Sequence, residues 1–547
     1  MHVSLQGFQL DPSGAGRLKS LLSGNRSSLS ADAVIAHVQS LGAQYAIVEE
    51  PYIDKDYSAD YLNFYAAAFR NHPRHTRRIH LFQSDVAPVL SQPMVEQQEA
   101  LNKAGYIGFV VLRPISQGPI GRTVLKFPDL GESLVVRPAA RANFKAHLLG
   151  SALRLDGAAP FIQQDERLGS CAQASIWMAA RPVHERHRRT PWHSIAEITR
   201  LATTPTDAEL SRSLPAGSGG LNPIHIIRAL RSMGHQPLFD YFLPVPGADP
   251  DAGASASEPT AQESLAASGI IRYLDSGLPV IVALANVGEG AGHAITAVGF
   301  VEAKGGPCRT SSDYESFVRA LIVHDDQRGP YRLMPLTDDD IASLPKERLL
   351  TYGSEVLTVE KAATHMFVPL PMRVFLRADR ADTVARDYLE SYVEQAGPCM
   401  LDIIAEQIPS AVPNVEAFYT LVRDGRLIRR TYLTSAGRYR HHLAKSDLAP
   451  EIKAELVVRA LPHFVWVTEL ISPDVAAPVD DGARKVIGHM VVNATSSTDP
   501  SSDLLIVHMP HVVIHRDLDV PQDSLVPFKE TGVTFESDAP YQGRRRH

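Results

Sequence analysis

The chain has 547 residues, which is too long for one ordinary domain, so we expect two to four domains. Hydrophobic residues make up 44% and charged residues 21% of the sequence, and these fractions exclude a chain that is disordered throughout. A net charge of -7 at pH 7 and a pI near 6.3 argue against a general nucleic-acid-binding protein, which usually carries a basic face.

The first predicted unit covers residues 1–150. Residues 31–41 place apolar side chains at helical spacing, and residues 45–50 have the composition of a strand. A second helix is expected over residues 54–70, where aromatic side chains recur, and a further strand over residues 106–114. These patterns predict an N-terminal α/β domain of unknown role, and none of them carries a catalytic signature.

The most informative motif is a cysteine that follows a Gly-Ser pair. Cys171 comes directly after Gly169 and Ser170 and opens a short apolar stretch, which predicts a helix that ends at Pro182. At the first turn of a helix, the unpaired backbone N–H groups and the helix dipole favour the thiolate, which is the nucleophilic form of cysteine. A lone cysteine is more often a small buried apolar residue, so the interpretation depends on residues further along the chain.

Two downstream strands carry the residues that a cysteine hydrolase needs. His293 opens the strand predicted over residues 292–300, and Asp325 closes the strand predicted over residues 320–326. Such an enzyme requires an imidazole beside the sulfur, a carboxylate that orients the imidazole, and a donor that stabilises the oxyanion. Three alternatives stay open: His293 is a core histidine, Asp325 caps a turn, or Asp326 is the acid that orients the imidazole.

Residues 155–335 resemble a papain-like cysteine peptidase, and most closely its bacterial double-glycine-leader, or bacteriocin-processing, branch. The resemblance rests on motifs in a fixed order: two glutamines, the Gly-Ser-Cys helix start, a helix opened by residues 219–223, and the strands with histidine and aspartate. It implies an α+β fold in which a helix carrying the cysteine packs on an antiparallel sheet carrying the histidine and the aspartate. The predicted papain-like domain covers residues 151–340.

The resemblance also implies a role for each residue of the motif. Cys171 would be the nucleophile, His293 the general base and acid, and Asp325 the residue that orients His293. The family usually places the glutamine that stabilises the oxyanion six residues before the cysteine, where this chain has an aspartate. A one-residue bulge would give that role to Gln164, with Gln163 as the alternative.

Low-complexity sequence interrupts the central unit between the cysteine and the histidine. Residues 246–259 are rich in Pro, Gly, Ala and Ser and bury too little apolar surface to order themselves, which predicts a flexible loop.

The third predicted unit, residues 341–547, is a C-terminal α/β domain. Residues 488–492 and 504–510 echo the Gly-His and Ile-Val-His strands of the central unit. The echo lacks the acid, because Met509 and Pro510 stand where the central unit has two aspartates, so we expect no second working triad. A degenerate repeat and a chance likeness of two strands both stay open.

Cysteine usage and hydropathy bear on the cellular compartment. The three cysteines, Cys171, Cys308 and Cys399, are widely spaced and form no metal-ligand pattern, which fits a reducing compartment. The N-terminus lacks the basic and then apolar segment of a signal peptide, and no apolar run approaches the roughly 18 residues that span a bilayer. We therefore expect a cytoplasmic protein without a membrane span, with signal-independent export as the alternative.

These patterns together predict a cysteine-dependent hydrolase, a peptidase or isopeptidase, that acts on a protein or peptide substrate through a thioester acyl-enzyme. Neither a metal nor an organic cofactor is implied, and nucleic acid is not expected as a partner. The flanking units are expected to select the substrate or to bind a regulatory protein partner. Two alternatives stay open: an acyl transferase or deamidase on the same scaffold, and a non-catalytic peptide-binding module with the papain-like shape.

Overall fold

The computed structural model describes residues 3–165, 170–187, 191–203, 220–242, 259–285, 292–304, 306–446, 448–473, 485–496, 503–517, 520–527 and 535–536. Gly169, Gly219 and residues 246–258 of the predicted flexible loop lie outside the described residues.

The strands are β1 (Ser4–Gln9), β2 (Tyr45–Tyr52), β3 (Thr76–Phe82), β4 (Tyr106–Leu112), β5 (Ile120–Leu125), β6 (Leu134–Pro138), β7 (Ala142–Leu148), β8 (Ser151–Phe161), β9 (Gln236–Tyr241), β10 (Val280–Leu284), β11 (His293–Ala303), β12 (Val318–Asp325), β13 (Gly329–Pro335), β14 (Thr351–Tyr352), β15 (Glu355–Val356), β16 (Ala363–Leu370), β17 (Ile428–Ser435), β18 (Phe464–Ile471), β19 (Lys485–Val486), β20 (Gly488–Asn493), β21 (Leu504–Met509), β22 (Val512–Asp517), β23 (Val520–Pro527) and β24 (Phe535–Glu536).

The helices are α1 (Pro12–Ser23), α2 (Leu29–Ser40), α3 (Lys55–Asn63), α4 (Met94–Lys103), α5 (Cys171–His187), α6 (Ile195–Ala202), α7 (Pro223–Ser232), α8 (Pro259–Asp275), α9 (Val359–Ala362), α10 (Ala378–Gln395), α11 (Gly397–Gln407), α12 (Val412–Arg423), α13 (Ala436–Lys445) and α14 (Pro450–Val457). Within the described ranges, none of these helices combines the length and the apolar character that crossing a lipid bilayer requires.

Three large antiparallel sheets organise this mixed α+β chain. The first has the order β1-β2-β3-β4-β5-β8-β7, the second β13-β12-β11-β10-β16-β9, and the third β17-β18-β20-β21-β22-β23. In the second sheet, β6 pairs with the second half of β11, beyond the part that pairs with β10. Most strands that follow one another in sequence are direct neighbours, which suits antiparallel pairing. The flanking units therefore belong to the α+β class, and the α/β architecture expected for them is wrong.

The sheets cross the predicted unit boundaries near residues 150 and 340. β8 lies between β5 and β7 in the first sheet, although it follows the first boundary. β6 leaves the first third of the chain to pair with β11, and β16 lies inside the second sheet. The division into three units remains a prediction. Strands on both sides of each predicted boundary belong to one sheet, so the boundaries near residues 150 and 340 do not separate the sheets.

Helix α5 continues through Pro182, where the sequence predicted its end. A proline inside a helix costs about 3 kcal/mol, because it removes one hydrogen bond and crowds the preceding turn. Ile176, Trp177 and Met178 are fully buried on this helix, and each such side chain contributes roughly 1.5–3 kcal/mol when removed from water. The apolar contacts therefore outweigh the local cost, and the prediction of an early stop was wrong.

Helix α3 ends at Asn63, well before the predicted end at residue 70. A 3-10 turn over Tyr65–Ala67 follows it and carries the Tyr65 ring into the interior. There the Tyr65 hydroxyl donates a hydrogen bond of 2.5 Å to Asp165 Oδ2. This contact joins the N-terminal third of the chain to the segment that leads into α5, and it explains why the helix gives way to a turn.

Helices α5 and α8 cover opposite faces of the second sheet. Alternate side chains of a strand point to opposite faces. Ile281 of β10 and Val298 of β11 join the core around α5, whereas Val282 and Ile295 join the core around α8. The start of α5 consequently lies at one end of the strands of this sheet, and the candidate site forms there.

Candidate active site

Chain topology brings the three predicted catalytic residues to one place. Cys171 is the first residue of α5, His293 is the first residue of β11, and Asp325 is the last residue of β12. Because β11 and β12 are antiparallel neighbours, the start of one lies beside the end of the other. Helix α5 packs across β10, β11 and β12, so its first residue meets both strand ends.

Two hydrogen bonds fasten α5 to β11. Ser175 Oγ donates to the carbonyl oxygen of Ala294 at 2.9 Å, and Thr296 Oγ1 donates to the carbonyl oxygen of Ser175 at 3.1 Å. Ser175 lies one helical turn after Cys171, and Ala294 directly follows His293. The pair of bonds therefore fixes the position of the thiol relative to the imidazole.

The start of α5 is stabilised by its own side chains. Gln173 Oε1 accepts hydrogen bonds from the Ser170 backbone N–H at 3.2 Å and from the Ser170 hydroxyl at 2.6 Å. Gln173 is fully buried and Cys171 is half-buried. This arrangement holds Ser170, the residue before the cysteine, while Cys171 stays half-buried.

His293 forms an ion pair with a carboxylate, and its contact with the Cys171 side chain also helps to raise its pKa. Its Nε2 atom lies 3.2 Å from Asp325 Oδ1 and 3.7 Å from Asp326 Oδ1. Burial by itself lowers the pKa of His293, but the charge of Asp325, its hydrogen bond and the Cys171 contact outweigh burial and raise that pKa well above its usual value. The site therefore favours an imidazolium beside the thiol.

Asp325 is fully buried and tightly held. Its Oδ1 atom accepts hydrogen bonds from the backbone N–H groups of Gln327 at 2.8 Å and Arg328 at 3.0 Å, and Tyr352 donates its hydroxyl proton to Oδ2 at 2.7 Å. Burial raises the pKa of Asp325, but the charge of His293 and these hydrogen bonds outweigh it, so the pKa is lowered. Asp325 therefore stays ionised and orients His293 more closely than Asp326 does.

Sequence reasoning missed Tyr352, which touches both partners of the ion pair. Its ring centroid lies 5.7 Å from that of His293 in an edge-to-face arrangement, and the Arg328 guanidinium lies 3.9 Å from its ring centroid. Tyr352 sits on the two-residue strand β14, and nothing in the local sequence marks it. Ser175 did carry a signal, since it is a polar residue one turn after the cysteine in an apolar helix.

The structure separates the two candidates for the oxyanion role, Gln163 and Gln164, and the aspartate at the family's usual position. The backbone N–H of Ile120 donates to Gln163 Oε1 at 3.3 Å, and Asp165 accepts the Tyr65 bond, so both side chains point to the N-terminal part of the chain. Gln164 is half-buried between them, and within the ranges that the structure describes its side chain makes no hydrogen bond to Cys171. Its oxyanion role therefore remains a prediction.

The same groups could also hold a metal ion. One ligand atom from each of His293, Asp325 and Asp326 lies within 4.8 Å of the others, and all three residues are buried. An imidazole nitrogen and two carboxylate oxygens suit zinc or manganese. Both oxygens of Asp325 already accept hydrogen bonds, however, and His293 Nε2 faces Asp325 Oδ1 at 3.2 Å. This geometry favours a hydrogen-bonded triad over a metal centre.

No protein-family model, curated protein or solved structure matches this chain.

Proposed function

We propose that this chain is a cysteine-dependent hydrolase, a peptidase or isopeptidase with a papain-like arrangement of helix and sheet. One observation carries the proposal: the Cys171 side chain is among the groups that raise the pKa of His293, whose Nε2 atom lies 3.2 Å from the buried carboxylate of Asp325. This is the order of nucleophile, base and orienting acid that acyl transfer to a thiol requires.

In the first half of the reaction, the Cys171 sulfur attacks the carbonyl carbon of the scissile amide. A C–S bond forms, and the carbonyl electrons move to oxygen, where the Cys171 backbone N–H at the start of α5 and the Gln164 amide stabilise the charge. The C–N bond then breaks as His293 gives its proton to the leaving amine. The products of this half are a thioester on Cys171 and a free amine.

In the second half, water attacks the thioester. His293, now neutral, takes a proton from the water, and the resulting hydroxide adds to the carbonyl carbon. The C–S bond breaks, the carboxylic acid leaves, and the thiolate and imidazolium are restored. Asp325 stays ionised throughout and holds the imidazole ring in one orientation.

Alkylation with iodoacetamide from pH 4 to pH 9, located by peptide mass spectrometry, tests the proposal. Cys399 is exposed at the start of α11, so it serves as an internal reference in the same sample. Ordinary thiols have a pKa near 8.5 and react slowly at pH 6. We expect Cys171 to be labelled at pH 6 at least about tenfold faster than Cys399, because the imidazolium favours the reactive thiolate.

His293→Gln is the matched variant, since glutamine is neutral and keeps a hydrogen-bonding side chain. We expect it to remove the advantage of Cys171 at pH 6. A Cys171 that reacts no faster than Cys399 and ignores His293→Gln would overturn the proposal. Repeating the labelling with a chelator checks for a metal at His293, Asp325 and Asp326. A chelator that changes the labelling rate would favour the metal centre over the triad.

Isotope labelling distinguishes hydrolysis from acyl transfer and deamidation. Peptide mixtures digested in water enriched in oxygen-18 gain one heavy oxygen at each new carboxylate if water accepts the acyl group. Transfer to an amine adds the mass of the amine instead, and deamidation changes a glutamine side chain without cutting the chain. We expect cleaved peptides with one heavy oxygen.

A further inference from the structure

A cavity of about 240 Å³ lies between α2 and β13, on the far side of the hairpin that carries Asp325. Helix α2 lines one side with Leu29, Ala33 and Ala36. Arg328 and Arg332 line the other side. An apolar wall therefore faces a wall with two guanidinium groups across a space large enough for a small molecule.

The two walls are held together by close backbone contacts. A Cβ atom on Gly329 would stand 2.5 Å from the Cβ of Ala33, and Gly329 has a φ of +104°, so only glycine fits at this contact. Ser30 Oγ donates to the carbonyl oxygen of Asp326 at 3.3 Å, and the His37 ring stacks on Tyr331 with centroids 4.7 Å apart. The cavity is therefore preformed.

Positive charge accumulates on the β13 side without a matching carboxylate. Arg332 donates to the backbone carbonyl oxygens of Glu347 and Leu349, and Arg348 contacts His37. In the part of the chain that the structure describes, Arg328, Arg332 and Arg348 form no ion pair with an acidic side chain. Burial and then the charge of Arg348 lower the pKa of Arg332, and the charges of Asp325 and Glu347 oppose this shift only in part.

Two acidic residues also line the cavity, and within the described ranges neither forms an ion pair with these arginines, although the charge of Glu347 acts on Arg332 and Arg348. Asp32 pairs with Lys19 at 2.6 Å, and Glu347 is exposed to solvent, where its charge is screened. The Arg328 and Arg332 guanidinium groups thus have no ion-pair partner among the described residues, and an anion is the ligand that would supply one.

Arg328 connects the cavity to the candidate active site. Its guanidinium lies over the ring of Tyr352 at 3.9 Å, and Tyr352 donates to Asp325 at 2.7 Å. The backbone N–H of Arg328 also donates to Asp325. An anion that binds the Arg328 guanidinium would therefore act on groups that hold the carboxylate beside His293.

We propose that this cavity binds a small organic anion and that binding regulates the reactivity of Cys171. A carboxylate or phosphate group would face Arg328 and Arg332, and an apolar body would pack on Leu29, Ala33 and Ala36. The regulatory part rests on the proposed hydrolase function, whereas the binding site itself does not.

Calorimetric titration of the full chain at constant ionic strength tests the site. The probes are benzoate and phenyl phosphate, with inorganic phosphate and benzyl alcohol as the matched compounds that lack the apolar body or the charge. We expect saturable binding of benzoate or phenyl phosphate, which also identifies the preferred head group. We expect weaker binding of inorganic phosphate and none of benzyl alcohol. Equal binding of the charged and neutral aromatic probes, or no saturable binding of either anion, overturns the proposal.

Two substitutions at an exposed position of α2 separate charge from shape. Ala36→Glu adds a negative charge to the cavity, and Ala36→Gln adds nearly the same volume without charge. We expect Ala36→Glu to weaken anion binding about tenfold relative to Ala36→Gln, because it places like charges a few ångströms apart. Equal affinity of the two variants contradicts a site inside this cavity.

The alkylation rate of Cys171 reports the regulatory part. We expect the bound anion to change that rate about fivefold or more in the unmodified chain, and to lose this effect at the same concentration in Ala36→Glu. Binding with an unchanged rate overturns the regulatory part. If Cys171 is not selectively reactive at all, the hydrolase proposal fails, and the titration alone still decides whether the site exists.

Discussion

The strand pairs β11–β12 and β20–β21 begin from similar sequences and place their histidines differently. Each pair combines a Gly-His start with an Ile-Val-His neighbour. In the second sheet His324 lies opposite Thr296, so His293 stands three residues further out, at the strand end. In the third sheet His508 lies directly opposite His489. By register, His489 therefore corresponds to Thr296, inside the sheet.

The two histidines consequently have opposite charge preferences. His489 is fully buried, with Nε2 2.7 Å from the Tyr439 hydroxyl, and burial together with the charge of His508 lowers its pKa well below the usual value. His293 has its pKa raised, because Asp325 stands beside it. The comparison teaches that register and the nearby acid, rather than the Gly-His motif, decide whether the pKa of such a histidine is raised or lowered.

The element order around the two strand pairs is similar, although β19 comes between β18 and β20 and has no counterpart between β10 and β11. A helix precedes four antiparallel strands in both regions: α8 before β10, β11, β12 and β13, and α14 before β18, β20, β21 and β22. Shared order with shifted register suits a degenerate repeat and also two independent sheets, so both interpretations stay open. We expect the difference in register to give the two histidines different effects on activity and on stability.

Replacing the acid at the end of β12 should have the largest effect. Asp325→Asn keeps an oxygen for the backbone N–H groups of Gln327 and Arg328 but removes the charge that orients His293. We expect peptide hydrolysis to fall by about 10³–10⁴-fold, as when a triad aspartate is neutralised. Hydrolysis rates of purified variants measure it, with circular dichroism to confirm folding.

Asp326→Asn is the matched control, because Asp326 lies farther from His293, at 3.7 Å. We expect a loss of about tenfold or less, since one carboxylate at longer range contributes less to the imidazolium. If Asp326→Asn costs more activity than Asp325→Asn, Asp326 is the orienting acid. If neither substitution costs tenfold, the triad proposal is wrong.

Giving β21 the acid that β12 carries should destabilise the protein rather than create a second site. Met509 is buried at the position that follows His508. Met509→Asp would bury an uncompensated carboxylate, which costs about 3–5 kcal/mol of the free energy of unfolding. Urea unfolding measures it. Met509→Leu is the control and should cost less than about 1.5 kcal/mol. A loss below about 1 kcal/mol for Met509→Asp would contradict the buried environment of β21.

The two histidines should make stability depend on pH in opposite directions. The folded pKa of His489 lies below the unfolded value near 6.5, so the unfolded state binds more protons and the folded state loses stability as pH falls below 6.5. The folded pKa of His293 is raised, so its stabilising contribution is complete below pH 6.5 and is lost as pH rises through the folded pKa. Each effect amounts to roughly 1.4 kcal/mol per pH unit within its range.

Urea unfolding of His489→Gln and His293→Gln at pH 5, 7 and 9 measures this difference. We expect His489→Gln to be less sensitive to acid than the unmodified chain. We expect His293→Gln to be most destabilised, relative to the unmodified chain, at pH 5 and least at pH 9. Parallel pH curves for both variants would show that the two histidines share one charge state.

How much the sequence could predict differs between the local elements and their assembly. The order of Cys171, His293 and Asp325 at element ends was readable, because turn residues and apolar runs mark those ends. The position of Tyr352 at the site could not be predicted from the sequence, because a side chain that reaches the site from a short distant strand leaves no periodic signal. The prediction that α5 ends at Pro182 was wrong for a related reason. The helix continues past the proline because its apolar side chains are buried by tertiary contacts, which the local sequence does not show.

Removing one tyrosine hydroxyl from each region gives the smallest and most selective test. Tyr352→Phe removes a hydrogen bond to the charged Asp325, which contributes about 1.5–3 kcal/mol, so hydrolysis should fall by roughly 10-fold to 100-fold. The acidic limb of the pH–rate profile should also move to higher pH, because the hydroxyl helps to hold the pKa of Asp325 low. Tyr439→Phe removes the matching contact at His489, and it should lower stability by about 1 kcal/mol without changing the profile. If Tyr352→Phe, like Tyr439→Phe, leaves the pH–rate profile unchanged, then Tyr352 contributes to stability alone.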